Sequence, residues 1–424
     1  MKIYTLIFAM FMAVIFPYFL TAEDVVLSTG KGYLNMSFYN LDEKTTSTIE
    51  LKSWDLAFVV AGQNGAIHIN SGAGTQLWEV VGKDSEEFDN PIDTTGISTG
   101  SDLFKSWQNS DSTWAIGALN CGVNGFDGSG DFGWGMYDMS THGILGYKVF
   151  IIKDFMGNYY KIMIDDLLGG VFTFTYSNLD NSNKQTYEIK KTDYANQTLA
   201  FFNLADPTAE VKAMEFWSLW FGKYVATVYD NEGNPAPYNV NGIRTNADYA
   251  TLKMEVEDPS TAEAPANFDL YSPKISVIGH EWKQLDGNMQ WYIPENLVYF
   301  VLTPDEKVYR IYFKTFGGMS TGETTFDATE VQPNSISEFG NTYSFSLAPN
   351  VVEDGDQVNL LFNASATANA NVSVFDIMGN KVFTNNIEMT GFNYYSFNPN
   401  LSTGSYFVRI SIGEKSEILR LIVR

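Results

Sequence analysis

The sequence predicts an all-β protein. Three observations favour this class: runs of β-branched and aromatic residues recur along the chain, Gly, Asn and Asp punctuate them, and helical periodicity is scarce. At 45% hydrophobic and 15% aromatic residues, the 424-residue chain has enough apolar material for packed cores in two or three domains. The clearest strand patterns are YKVFIIKD, NYYKIMI, GVFTFTYS, NLVYFVLT, KVYRIYFK, NVSVFDIM and SYFVRISI.

The first segment, residues 1–22, has the pattern of a secretory signal peptide. Lys2 supplies a positive charge, a nearly continuous apolar run follows to Leu20, and Ala22 precedes two acidic residues. We expect cleavage after Ala22 and export of the mature chain, and a retained membrane anchor is the alternative. No later segment is long and apolar enough to span a bilayer, so we expect no membrane insertion of the mature chain.

The charge and cysteine content narrow the function classes. The formal net charge is −24, from 26 basic and 50 acidic residues, which argues against a nucleic-acid partner because phosphate binding needs a basic face. Cys121 is the single cysteine, so no intramolecular disulfide is possible and core packing must hold the exported protein together.

The front part of the chain contains an internal repeat. Three stretches recur in the same order and at similar offsets, which predicts two lobes of one fold, at residues 23–182 and 183–333. The alternative is that unrelated β-hairpins resemble one another. The matched pairs are WDLAF (54–58) with WSLWF (217–221), NGAIHIN (64–70) with NGIRTN (241–246), and YKVFIIKDFMGNYYKIMI (147–164) with LVYFVLTPDEKVYRIYF (297–313).

A third unit follows a polar linker at residues 334–341. Residues 342–424 hold short strand patterns at regular spacing, which predicts a small immunoglobulin-like β-sandwich. This unit resembles the type A C-terminal sorting domain of the type IX secretion system of the Bacteroidetes. The resemblance is carried by LAPNVVEDG, VSVFDIMGNKV, LSTGSYFVRI and EILRLIVR, although the family's Tyr-Pro-Asn-Pro opening is replaced by Ala-Pro-Asn-Val at 348–351. It implies a partner, the type IX machinery, and a secreted or outer-membrane-surface location.

The two front lobes resemble the HmuY family of secreted haem-binding proteins. The WDLAF strand, the NGAIHIN or NGIRTN turn and strand, and the late hairpin carry this resemblance. It implies compact all-β lobes. The best-known type of the family holds haem iron between two histidines, and many members lack them.

His68 and His142 are the candidate metal ligands. Both belong to the first lobe, and neutral imidazoles from two strands satisfy six-coordinate haem iron. The second lobe has Arg244 at the position of His68 and so cannot ligate in the same way. Two unrelated surface histidines explain the sequence as well, and spacing does not decide between these readings. The third histidine, His280, lacks a metal-binding motif and is expected on the surface.

The loop CGVNGFDGSGDFGWGMYDM, residues 121–139, is the candidate wall of a haem pocket. Its glycines permit close backbone approach, and Phe132, Trp134 and Tyr137 would line an apolar slot beside His142. Its aspartates hint at calcium, but their spacing lacks the carboxylate series of a calcium loop. The alternative is a surface loop that packs its own aromatic residues.

No catalytic motif lies in the structural setting that its chemistry requires. GISTG and GMSTG fit a nucleophile motif that has meaning only on a strand–turn–helix, and no carboxylate pair is marked, so we expect no enzyme. In the alternating WDLAF and WSLWF strands, Trp and Phe lie on one face, which favours core packing over sugar stacking. The sequence thus favours a secreted haem- or porphyrin-binding protein in iron acquisition. The alternatives are a surface adhesion or glycan-binding β protein without a cofactor and, third, a secreted hydrolase.

Overall fold

The computed structural model describes residues 24–99, 101–230, 232–333, 343–353, 355–376, 379–398, 400–413 and 415–424. The signal peptide expected at 1–22 and the linker expected at 334–341 lie outside these residues. The described chain divides into two compact units: residues 24–262 with 271–331, and residues 263–270 with the described part of 332–424.

The regular structure of the first unit consists almost entirely of β-strands, as the sequence predicts. In chain order they are β1 (Val25–Ser28), β2 (Asn35–Asn40), β3 (Thr45–Glu50), β4 (Leu56–Val59), β5 (Ile67–Ile69), β6 (Gln76–Asp84), β7 (Phe104–Trp107), β8 (Gly135–Asp138), β9 (Gly143–Gly146), β10 (Lys148–Lys153), β11 (Tyr159–Leu168), β12 (Val171–Asn178), β13 (Gln185–Lys190), β14 (Leu199–Phe202), β15 (Leu219–Tyr229), β16 (Pro235–Thr245), β17 (Ala250–Glu255), β18 (Gln284–Leu285), β19 (Trp291–Tyr292), β20 (Leu297–Leu302), β21 (Val308–Phe316) and β22 (Glu323–Val331).

Helical structure is confined to single turns. One short α-helix, α1 (Gly318–Thr321), precedes β22, and 3₁₀ turns punctuate the strands elsewhere. The 3₁₀ turns cover Lys31–Tyr33, Leu51–Ser53, Ser85–Asp89, Ala118–Asn120, Lys191–Tyr194 and Phe268–Leu270.

Four sheets carry the first unit. The first outer sheet has the order β13-β12-β11-β10-β6-β7, with the β8–β9 hairpin joined to β11. The first inner sheet is β14-β4-β5, the second inner sheet is β16-β15-β2-β3, and the second outer sheet is β1-β22-β21-β20-β17. The β18–β19 hairpin stands apart from these four.

The four sheets stack in layers around three shared cores. One core joins the first outer and first inner sheets, a second joins the two inner sheets, and a third joins the second inner and second outer sheets. Each inner sheet is therefore apolar on both faces. We name the first pair of sheets the first sandwich and the second pair the second sandwich.

The internal repeat is present in the strand register. Ala57 pairs with His68 across β4 and β5, and Trp220 pairs with Arg244 across β15 and β16, which is the correspondence that the sequence predicts. A further stretch also repeats: SFYNL at 37–41 and AFFNL at 200–204 stand at the same offset as the tryptophan motifs. The outer sheets also correspond, since β6 and β17 occupy equivalent positions beside β10 and β20, although β7 adds an edge strand next to β6.

The two halves exchange their first strands. β2 pairs with β15 of the second half, and β14 of the second half pairs with β4, in the same register: Phe38 is opposite Trp220, and Phe201 is opposite Ala57. Side-chain bonds repeat as well, because Asn40 donates to the Phe216 carbonyl at 2.9 Å and Asn203 donates to the Ser53 carbonyl at 3.0 Å.

This exchange corrects the expected boundary between residues 182 and 183. That point separates the sequence repeats, but it lies within one compact unit and inside the turn that joins the paired strands β12 and β13. The first sandwich uses the continuous run β4–β14, whereas the second uses β15–β22 and takes β1–β3 from the N-terminal end of the described chain.

The second unit has its own apolar core and six strands. These strands form one connected sheet, in which the long β25 pairs with β26 along its length and with β23 and β27 at its two ends. The all-β prediction is confirmed, and the immunoglobulin-like arrangement is not. The strands are β23 (Tyr343–Ala348), β24 (Val351–Val352), β25 (Val358–Asp376), β26 (Lys381–Phe397), β27 (Gly404–Ile412) and β28 (Lys415–Val423).

Candidate functional site

His68 lies in the core between the two inner sheets. Side chains alternate along β5, so Ile67 and Ile69 enter the core of the first sandwich while His68 points to the opposite face. Its ring is 2% exposed, and its Nε2 lies 2.9 Å from the carbonyl oxygen of Trp114. Because a carbonyl oxygen only accepts hydrogen bonds, Nε2 carries the proton. Nδ1 therefore presents a lone pair, and it has no hydrogen-bond partner among the described residues.

His142 lies elsewhere, on the turn between β8 and β9. It is exposed, its backbone has a φ of 54°, and its Nδ1 is 3.1 Å from the hydroxyl of Tyr137, which is itself 45% exposed. The structure therefore brings Tyr137 and His142 together, at the surface.

Phe132 and Trp134 occupy a third place, the core of the first sandwich. They are 4% and 0% exposed, and the Trp134 indole donates to the Gly65 carbonyl at 2.8 Å. Phe126 packs on Phe132 with ring centroids 5.2 Å apart. The loop 121–139 thus packs its own aromatic residues, which is the alternative that the sequence left open.

The residues do not fit a haem held by two histidines. The inner sheet separates His68 from Phe132 and Trp134, and the cavity that His68 lines measures about 20 Å³, room for about one water. Pockets for cofactors measure hundreds of cubic ångströms. Among the residues that the structure describes, no group of three or more His, Cys, Asp or Glu side chains is placed to hold a metal ion.

Arg244 faces the same core as His68, as the repeat register requires. Its guanidinium lies 3.7 Å from the ring centroid of Trp220, 4.3 Å from that of Trp114 and 4.8 Å from that of Tyr224. Burial lowers the pKa of Arg244 to about 9 and that of His68 to about 4, and the Arg244 charge adds to the shift at His68. The aromatic faces hold the cation, and His68 stays neutral beside it.

A polar groove of about 670 Å³ lies on the described surface. Six chain segments from both sandwiches contribute to its lining: 40–43, 60–62, 191–198, 216–217, 246–249 and 303–305. Sequence reasoning missed it because its residues are scattered over loops and no local spacing marks them. The one available signal was the FWSLWF stretch, which carries an additional aromatic residue before the repeated tryptophan.

Phe216 is the distinctive residue of this groove. Its ring is 55% exposed, and its backbone φ is 50°, a left-handed conformation that few bulky residues adopt. Hydrogen bonds fix that conformation: its N–H donates to the Asn196 carbonyl at 3.0 Å, and its carbonyl accepts from Asn40. The equivalent residue of the first half is Ser53, so the exposed ring is particular to this end of the molecule.

Amide and hydroxyl groups surround the ring. The Asn246 amide donates to the Trp217 carbonyl at 2.6 Å and accepts from Thr198, and the Tyr249 hydroxyl lies 3.1 Å from the Ser218 hydroxyl. The amide oxygen of Gln197 is buried and has no partner among the described residues. The groove therefore combines one exposed ring with fixed polar groups and unused hydrogen-bonding capacity.

The comparison with protein families gives one match. Residues 349–424 match the family described as the secretion system C-terminal sorting domain. No curated protein sequence matches the chain at a significant level. Within the described residues, no helix has the length and apolar character needed to cross a membrane.

The chain is also similar to solved structures, at low levels. Latent PorU of Porphyromonas gingivalis has 7% identity and a TM-score of 0.18 over 85% of this chain, and the chain spans 31% of PorU. The BSP domain of a biofilm-associated protein has 10% identity and a TM-score of 0.18, covering 95% of this chain and 81% of its own. Such TM-scores support no conclusion about function.

The predicted motifs and the family match thus agree on the C-terminal residues of the second unit. The HmuY-like resemblance of the front lobes has no matching family. The C-terminal part of this chain is a type IX secretion C-terminal sorting domain, and the protein is accordingly a secreted or cell-surface protein.

Proposed function

We propose that this protein is a secreted or cell-surface glycan-binding protein that works without a cofactor. The exposed ring of Phe216, fixed in a groove of amides, hydroxyls and carboxylates, is the observation that carries the proposal. Sugars present an apolar face of C–H groups and a rim of hydroxyls, so they need one aromatic platform and several fixed polar partners. The groove offers both.

The geometry does not favour the haem-binding role that the sequence suggested. His68 is committed to a backbone carbonyl, His142 is at the surface, and the aromatic residues expected to clasp a porphyrin fill a core. A type IX sorting domain is compatible with either role, since it directs export.

The test is binding to an array of neutral, amino and acidic oligosaccharides, followed by calorimetry on the best ligand. We expect Phe216→Ala to weaken binding about five- to tenfold, because an aromatic contact contributes roughly 1 kcal/mol. Phe126→Ala is the matched control, since Phe126 is 58% exposed but lies on the 121–139 loop.

A haem titration separates the two roles. We expect no Soret band that depends on His68 or His142. A sharp band that His68→Ala or His142→Ala abolishes, together with no oligosaccharide binding, would overturn the glycan proposal and restore the haem hypothesis.

A further inference from the structure

Resting on the proposed glycan-binding role, we propose that the groove selects saccharides that carry a protonated amine, such as a glucosamine unit without an acetyl group. The aromatic ring would take the apolar face of the sugar, and the carboxylates around it would take the ammonium group.

The groove carries uncompensated negative charge. Glu43, Asp248 and Asp305 line it, and none of the three forms an ion pair with a described Lys or Arg. The fourth lining carboxylate, Asp42, is already occupied, because it accepts from Lys307 and from the Tyr309 hydroxyl. Three carboxylates at the rim of one concavity attract cations and repel anionic sugars.

The lysine that lines the groove does not neutralise this charge. Lys191 donates to the carbonyls of Gly62 at 2.9 Å and Asn64 at 2.6 Å, so its amine serves the backbone of a neighbouring loop. Burial lowers the pKa of Lys191 to about 8, so the amine still carries its charge at pH 6 and offsets one carboxylate. Three carboxylates without an ion pair outnumber this one cation, so the net charge of the groove is negative.

The exposed ring distinguishes an amino sugar from a plain cation as the ligand. Phe216 is 55% exposed in the groove that the three carboxylates also line, so a sugar can stack on the ring while its ammonium group meets a carboxylate. The indole N–H of Trp217 and the amide oxygen of Gln197 have no partner among the described residues, but both atoms are buried, so we assign them no contact with the ligand. A ring and three carboxylates together describe an amino sugar more closely than a plain cation.

The experiment compares two ligands that differ only in the amine. Calorimetry at pH 6 measures binding of a chitosan tetramer and of its N-acetylated counterpart, the chitin tetramer, at low and high salt. We expect chitosan to bind about tenfold more tightly at low salt, and we expect the gap to shrink as salt screens the carboxylates.

The triple variant Glu43→Gln, Asp248→Asn, Asp305→Asn should close the gap to within about twofold while its affinity for the chitin tetramer is retained. Retained chitin binding shows that the variant is folded. Asp102→Asn, an exposed carboxylate away from the groove, is the control and should keep the full gap.

Each other result overturns the inference in a distinguishable way. Equal binding of the two tetramers, or tighter binding of chitin, removes the charge selectivity and leaves the glycan proposal standing. Binding of tetralysine as tight as that of chitosan shows that charge alone is recognised. An absence of binding to any saccharide removes both the selectivity and the proposed function.

Discussion

The two sandwiches of the first unit share one plan but differ in how the chain builds them. The first sandwich is made of consecutive strands, β4–β14, whereas the second is completed by β1–β3 from the other end of the unit. In both, the central inner strand receives a neighbour from the other half of the sequence, in the same register. Local strand patterns therefore fix the pairing, and the order of the chain decides only which copy supplies the strand.

The free edges of the inner sheets are also covered in different ways. In the first sandwich, the side chains of Asn109 and Asn120 bond to the backbone of β5, with their amide oxygens accepting from Ile69 and Ile67 at 3.0 Å. In the second, the backbone of Gly279 exchanges two hydrogen bonds with Ile243 of β16. These bonds cover β5 and the C-terminal end of β16, which shortens the open ladder available for association between chains.

Removing the N-terminal strands should unfold the second sandwich and leave the first sandwich folded. A chain that begins at residue 51 lacks β1–β3, whose side chains Leu27, Phe38 and Tyr39 are 4% exposed or less. We expect the loss to exceed the stability of the second sandwich, since whole domains are stable by about 5–15 kcal/mol. Limited proteolysis should then cut within residues 205–331 and spare the first sandwich.

A peptide of residues 24–50 added in trans should restore protection of the second sandwich, and a scrambled peptide should not. Equal protease resistance in the full-length and shortened chains would show that the second sandwich folds without the exchanged strands.

The equivalent positions His68 and Arg244 give the next largest effect, through pH. Burial lowers the pKa of His68 to about 4, so the folded state binds fewer protons than the unfolded state between that pH and about 6.5. The stability that His68 contributes is present above pH 6.5 and is lost as pH falls towards 4. The shift corresponds to about 3 kcal/mol.

Urea unfolding at pH 7, 5.5 and 4.5 measures this, with His68→Gln as the comparison because a glutamine amide can still donate to Trp114. The wild type should lose about 2.5 kcal/mol more than the variant between pH 7 and 4.5, because the full difference is reached only below pH 4. Parallel pH profiles for the two proteins would exclude His68 as the titrating group. His280 also has a pKa lowered by burial, and its contribution is common to both proteins.

The smallest expected effect concerns two equivalent side-chain hydrogen bonds, one at each exchanged strand. Asn40→Ala and Asn203→Ala remove equivalent side-chain bonds to the carbonyls of Phe216 and Ser53. We expect each to cost about 1 kcal/mol, with values that agree to within about 0.5 kcal/mol. Chemical denaturation gives both values. A difference above about 1.5 kcal/mol between the two costs would mean that equivalent geometry does not give equivalent stabilisation at the two sites.

Much of the fold was accessible from the sequence. The all-β class, the repeat and the correspondence of His68 with Arg244 follow from alternation and from short motifs that keep their order. The exchange of strands was not accessible, because β2 and β14 have the same pattern and form the same bonds whichever copy they join. Pattern sets the register but does not identify the partner.

Turn chemistry does not identify the repeat, because the matched hairpins 147–164 and 297–313 use different turns: Asp154 bonds to Asn158 in the first, and Thr303 bonds to Lys307 in the second. Asp154 with Asn158 and Asp230 with Asn234 close their turns through the same side-chain bond, and Asp376 with Asn380 does so in the second unit, outside the repeat. The D-x-x-G-N turn therefore recurs for local reasons. The register of the inner strands is what distinguishes a true repeat from shared turn chemistry.

The candidate site was largely beyond the sequence. A lone histidine on a strand is expected to be exposed if the sheet has one wet face, but β5 belongs to an inner sheet with cores on both sides. The groove draws on loops that meet only after both sandwiches form. Its most telling residue, Phe216, differs from its equivalent Ser53 in the aligned tryptophan motifs, but the sequence does not show that the Phe216 ring is exposed.

The pairing of β1 with β22 has a consequence for how this protein is made. Val25 faces Phe326, so a strand that is synthesised early waits for a partner about 300 residues later. Closing so long a loop is slow, and the second outer sheet stays incomplete until nearly the entire first unit has been synthesised.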